Sequence, residues 1–145
     1  MRYASMAKLT LLCFSALFTW LLCAAAVPWV NLAANACSAW DGMDVTPPFH
    51  KQGEHAYNVH LPKYDHLSDT LTASTRSPVR LCEDGKMMGP PHASHAEIRE
   101  KGAGRYSLWT GGWLYFSASD VTDPNTNGRR YRVVTPPWYW VLIPH

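Results

Sequence analysis

The stretch Tyr106-Ser107-Leu108-Trp109-Thr110-Gly111-Gly112-Trp113-Leu114-Tyr115-Phe116-Ser117 decides the fold class. Two runs rich in Trp, Tyr, Phe and Leu, which suit a half-buried pleated surface, flank a Gly-Gly pair that accepts the positive φ of a tight turn. They predict a β-hairpin. A second hairpin is read at Val79-Arg80-Leu81-Cys82, with Glu83-Asp84-Gly85-Lys86 as its turn and Met87-Met88 beginning the return. Tyr57 to Leu61 reads as a further strand ended by Pro62, and Arg130 to Thr135 as the last, before Pro136-Pro137. Between the hairpins, Ser94-His95-Ala96-Glu97 matches the S-x-x-E capping box and predicts a two-turn helix stopping at Gly102. Leu67 to Thr75 stays open, because Leu67 and Leu71 have helical spacing among β-prone threonines. The fold class expected is mainly β: a small antiparallel sandwich or partly open barrel with one short helix, preceded by a single N-terminal transmembrane helix.

Working outward, the chain of 145 residues has room for one ordinary domain. Leu9 to Val30 carries no charge, and as a helix it spans roughly 30 Å of hydrocarbon. Arg2 and Lys8 precede it and the next basic residue is Lys51, so the positive-inside bias leaves the N-terminus in the cytoplasm and exports the rest. A cleaved signal peptide is the rival reading, with Ala34-Asn35-Ala36 before Cys37 as its small-residue site. A typical signal core is shorter than this run, so residues 1–30 are read as an anchor. Residues 31–56, with Pro47-Pro48, Gly42 and Gly53 and no sustained period, read as a linker, and 57–145 as an extracytoplasmic β domain. Cys13 and Cys23 fall in the apolar run, which leaves Cys37 and Cys82 as the outer pair, expected to be a disulfide in an oxidising compartment. The alternative is two unrelated thiols.

The formal balance is 13 basic against 11 acidic residues, and without Arg2 and Lys8 the remainder is neutral. A neutral outer part lacks the basic face that displaces counterions from phosphates, so nucleic acid is excluded as a partner. Catalytic signatures are also missing from the sequence: no G-x-S-x-G elbow, H-E-x-x-H pair or phosphate-cradling glycine loop occurs. A non-enzymatic role is therefore expected.

The residues Glu83-Asp84-Gly85-Lys86, Gly89-Pro90-Pro91-His92, His95, Ile98-Arg99, Gly104-Arg105-Tyr106-Ser107, Trp109, Phe116-Ser117-Ala118-Ser119-Asp120 and Asp123-Pro124 to Asn127-Gly128-Arg129 carry a resemblance. Across residues 67 to 133 at most, the chain resembles a β module of bacterial envelope proteins of unassigned activity, some of them membrane glycosyltransferases that carry it as an extracytoplasmic appendage. The resemblance implies an exported module near envelope polysaccharide. Together with the apolar run and the charge asymmetry, the expected location is the bacterial inner membrane, single pass, with the N-terminus cytoplasmic and the domain periplasmic or extracytoplasmic.

Candidate binding residues cluster around the long polar loop Asp120 to Gly128. Arg105, Arg129 and Arg130, with Arg132 nearby, present guanidinium forks suited to an anionic sugar or lipid headgroup. Their alternative partners are Asp69, Asp120 and Asp123. Trp109 and Trp113, with Tyr115 and Phe116, are candidates for a sugar-stacking platform, provided they face outward rather than into the core. Asp123-Pro124-Asn125-Thr126-Asn127-Gly128 opens like a calcium loop, but Val134 stands where the bidentate Glu belongs. Seven histidines follow the apolar run, His92 and His95 among them, and form no recognised zinc spacing. No cofactor is expected, with calcium at Asp120 and Asp123 or zinc at the histidines as alternatives. The function expected is a membrane-anchored envelope binding or accessory module. Its partners would be the membrane through Leu9 to Val30, an envelope polysaccharide or glycolipid, and a membrane protein. A structural subunit of a larger membrane complex is the alternative.

Overall fold

The computed structural model describes residues 36–137. The expected membrane span Leu9 to Val30 and the apolar tail Trp138 to Ile143 lie outside the described residues. Among those described, no helix is long and apolar enough to cross a membrane.

The elements run in chain order as α1 (Ala36–Ala39), β1 (Asp41–Val45), β2 (His50–Lys51), β3 (Tyr57–His60), a 3-10 helix (Pro62–Leu67), β4 (Arg80–Glu83), β5 (Lys86–Met87), α2 (His95–Lys101), β6 (Tyr106–Trp109), β7 (Trp113–Phe116) and β8 (Tyr131–Thr135). They make two antiparallel four-stranded sheets, ordered β1-β8-β4-β5 and β2-β3-β7-β6. Both expected hairpins are present. At the first, Asp84 and Gly85 take φ of 49° and 78°, the paired positive values of a two-residue hairpin turn. At the second, Gly112 has φ 70°, and a Cβ there would lie 2.6 Å from the Leu61 carbonyl oxygen, so the turn also needs a bare backbone for close packing.

Period-2 alternation sorts the side chains. Leu81, Tyr131 and Val133 from the first sheet join Tyr57, Tyr106, Leu108, Leu114 and Phe116 from the second in one buried core. Phe49 caps it, edge-on to Phe116 at 5.1 Å and to Tyr131 at 5.7 Å between ring centroids. The alternate residues of the first sheet, Cys82 and Val134, pack with Cys37 and Trp40. There the expected Cys37–Cys82 disulfide is formed, with a Cα–Cα distance of 5.9 Å. On the second sheet, Tyr115 packs with Ala56, Ala93 and Ile98, which lays α2 over the outer face.

Two stretches differ from the sequence reading. Residues 31–56, expected as a linker, contain β1 and β2. All five β1 residues pair with β8, from Asp41 opposite Thr135 to Val45 opposite Tyr131, and that ladder forms without an alternating apolar pattern. In the ambiguous Leu67 to Thr75 stretch, Leu67 ends the 3-10 helix, and Asp69 then runs beside Trp109 as an isolated bridge.

Candidate functional site

Directly opposed residues of an antiparallel ladder share a face, so the second sheet presents two rows outward: Asn58, Tyr115 and Ser107, then His60, Trp113 and Trp109. Tyr106, Leu108, Leu114 and Phe116 face the core instead. Of the expected aromatic platform, Trp109, Trp113 and Tyr115 are thus outward and Phe116 is not. Trp113 is 37% exposed, and its ring lies 4.7 Å from that of His60.

Above Ser107 and Trp109 opens a cavity of about 450 Å³, lined also by Asp69, His92, Ser94 and His95. The helix that brings His95 there starts as the capping box requires. Ser94 Oγ accepts from the Glu97 amide at 3.2 Å, and the Glu97 carboxylate accepts from the Ser94 amide at 3.3 Å. His95, in the first turn, stacks on Tyr115 at 3.9 Å between centroids and stands edge-on to Trp109 at 5.6 Å. Burial, with a smaller contribution from the Arg99 charge, lowers its pKa and keeps the ring neutral near pH 7.

His92 enters the cavity on an unusual backbone. Its φ is 58°, in the left-handed region. Its Nδ1 lies 2.8 Å from Asp69 Oδ2. That carboxylate is buried, with its side chain 1% exposed, and Oδ1 accepts the Ser77 amide at 2.8 Å. The Asp69 backbone is pinned too, donating to Leu108 O at 2.8 Å and accepting from the Thr110 amide at 3.1 Å.

Two side chains of this lining, His95 and Ser107, each hold a buried polar atom, Nε2 and Oγ, with no hydrogen-bond partner among the described residues. A third, Asn58 Oδ1, lies on the same face of the sheet, in the row of Ser107. An orphaned buried polar atom costs about 1–3 kcal/mol.

The arginines are arranged differently. Arg129 Nη1 donates to Glu83 Oε2 at 2.7 Å and to Ser119 Oγ at 2.9 Å, while Nη2 donates to Asp120. Hydrogen bonding to Glu83 raises the Arg129 pKa, and hydrogen bonding from Thr122 lowers that of Asp120. Glu83 is buried and accepts from Ser119, from the Tyr131 hydroxyl at 3.1 Å and from Arg129. This network edges a cavity of about 520 Å³ with Lys86, Met88 and Gly104. Arg130 instead lines a cavity of about 250 Å³ beside the disulfide, together with Arg132. Arg105 Nη1 donates to the Gly102 carbonyl at 3.1 Å. Asp123 accepts from the Asn125 amide at 2.9 Å and from its Nδ2 at 3.0 Å, and Asn125 ties the loop to the Phe49 backbone. Among the described residues, no group of three or more His, Cys, Asp or Glu is placed to hold a metal ion.

The candidate residues therefore divide among cavities: Trp109 at the histidine cavity, Arg129 at the Glu83 network and Arg130 beside the disulfide. Sequence reasoning missed Asp69 as the partner of His92 and Ser107 as a cavity residue. The signal for Ser107 was its place in an aromatic strand, two residues before Trp109 and so on the same face. No protein-family model, curated protein or solved structure matches the chain.

Proposed function

We propose that this protein is a membrane-anchored, extracytoplasmic binding module of the bacterial envelope, its two sheets the layers of a small sandwich, and that its histidine cavity takes a sugar-containing ligand. One observation carries the reading: a cavity lined by Trp109 and by polar side chains, His92, Ser94, His95 and Ser107, of which His95 and Ser107 hold unpartnered polar atoms. A sugar offers hydroxyls to such atoms and an apolar ring face to an aromatic. The disulfide supports export, since such bonds persist outside the reducing cytoplasm. An anionic ligand draws less support, because the Arg129 guanidinium is already occupied by Glu83, Ser119 and Asp120.

The test is a glycan array probed with the full chain in mild detergent. Binding to envelope-type glycans that weakens at least about tenfold in Trp109→Ala, corresponding to about 1.4 kcal/mol, supports the proposal. No binding, or binding indifferent to Trp109, overturns it. A periplasmic reporter fused after His145 checks the topology: activity only in the cytoplasm contradicts the anchor orientation.

A further inference from the structure

We infer that the same cavity hydrolyses acyl esters on a sugar, with His92 as general base and Asp69 as the residue that positions it. The inference rests on the sugar reading above for its substrate class, and on separate observations for its chemistry. A buried carboxylate on Nδ1 fixes the imidazole tautomer, so that Nδ1 carries the proton and Nε2 the free electron pair. Asp69 is held by the Ser77 amide on its other oxygen and by three bonds through its own backbone, to Leu108 and Thr110. His92 makes no other hydrogen bond among the described residues, which leaves Nε2 free for a ligand or a water.

The lining decides between reaction classes. Glycosidic cleavage uses two carboxylates flanking the bond. Here Asp69 has both oxygens engaged, and Glu97 is bound by Ser94 and by Lys101 at 3.0 Å. Phosphoryl transfer calls for a cationic clamp, and no Lys or Arg lines this cavity. Acyl-ester hydrolysis needs a base for water and a donor for the developing oxyanion. His92 supplies the first, and the serines of the lining, Ser74 and Ser107, are the hydroxyls for the second.

The step balances with water as the only co-reactant. The water oxygen bonds to the acyl carbon while Nε2 of His92 takes its proton, and the carbonyl pair moves to an oxygen that accepts from a serine hydroxyl of the lining. Collapse re-forms the carbonyl and breaks the ester C–O bond, and the departing sugar oxygen takes the proton from the imidazolium. The products are a free carboxylic acid and a sugar hydroxyl, with nothing oxidised or reduced.

The full chain in detergent is incubated with fully O-acetylated methyl glucoside, galactoside and mannoside, and acetate release is followed by proton NMR. Turnover by the native protein is expected, with kcat falling about 100-fold or more in His92→Gly. Glycine adopts the φ of His92 without strain and leaves a space where added imidazole restores part of the rate above that of imidazole alone. His92→Asn, which also tolerates a positive φ and keeps a donor for Asp69, should lose turnover while folding normally. Asp69→Asn should lower kcat with little change in KM. No acetate release from any of the three esters, or release undiminished in both His92 variants, overturns the inference. Glycan binding without turnover would remove the catalytic step and leave the binding reading standing, whereas loss of both removes both.

Discussion

Glu83 and Ser107 are both buried polar residues of this domain, and they are treated in opposite ways. Glu83 accepts from Arg129, from the Tyr131 hydroxyl, and from the amide and hydroxyl of Ser119. Ser107 Oγ, with His95 Nε2 nearby at the same cavity, accepts nothing and donates to nothing. The contrast separates polar groups that hold the fold from polar groups kept for something else. A satisfied network resists removal, whereas an orphaned group is a standing cost that function explains.

The largest effect is expected on the network side, where the disulfide crosses from Cys37 to Cys82, the residue before Glu83. Replacing both cysteines by Ser should lower stability by about 4 kcal/mol on the chain-entropy argument, read as a shifted urea midpoint. Next, Glu83→Ala should cost about 3 kcal/mol, because it removes the acceptor of the Tyr131 O–H and of the Ser119 amide. Arg129→Ala should lower the melting temperature and Arg130→Ala should leave it unchanged, since only Arg129 serves the buried carboxylate. Equal melting temperatures for these two variants would break the contrast from its structural side.

Why the contrast was hidden in the sequence follows from distance along the chain. The two hairpins and the capping box were legible because each signal is local: a glycine where φ must be positive, or a Ser three residues before a Glu. The arginines and the polar loop were legible as a cluster but not in their roles. Arg129 meets Glu83 across 46 residues, and nothing in Glu83-Asp84-Gly85-Lys86 distinguishes a turn flank from a buried acceptor. Likewise Asp69 meets His92 across 23 residues, and β1 finds its partner β8 at the far end of the domain. The absence of alternation in β1 let Pro47-Pro48 dominate that reading.

A smaller effect sharpens the cavity side. Burial lowers the His95 pKa below its ordinary value of 6.5, so the folded state prefers the neutral ring. The unfolded chain then binds the proton more readily, and this contribution is complete above pH 6.5 and lost as pH falls toward the folded pKa. His95→Phe, which keeps the stack on Tyr115, should therefore flatten the loss of stability on the acid side. Urea midpoints of both proteins on either side of pH 6.5 check it.

The most direct measurement is a paired one on Ser107→Ala: thermal unfolding and glycan binding of the same preparation. Removing an orphaned hydroxyl relieves a burial cost, so the melting temperature should hold or rise, by the equivalent of at most about 1 kcal/mol, while binding weakens. A melting temperature that falls by several degrees with binding unchanged would show that Ser107 serves the fold, and would contradict the account.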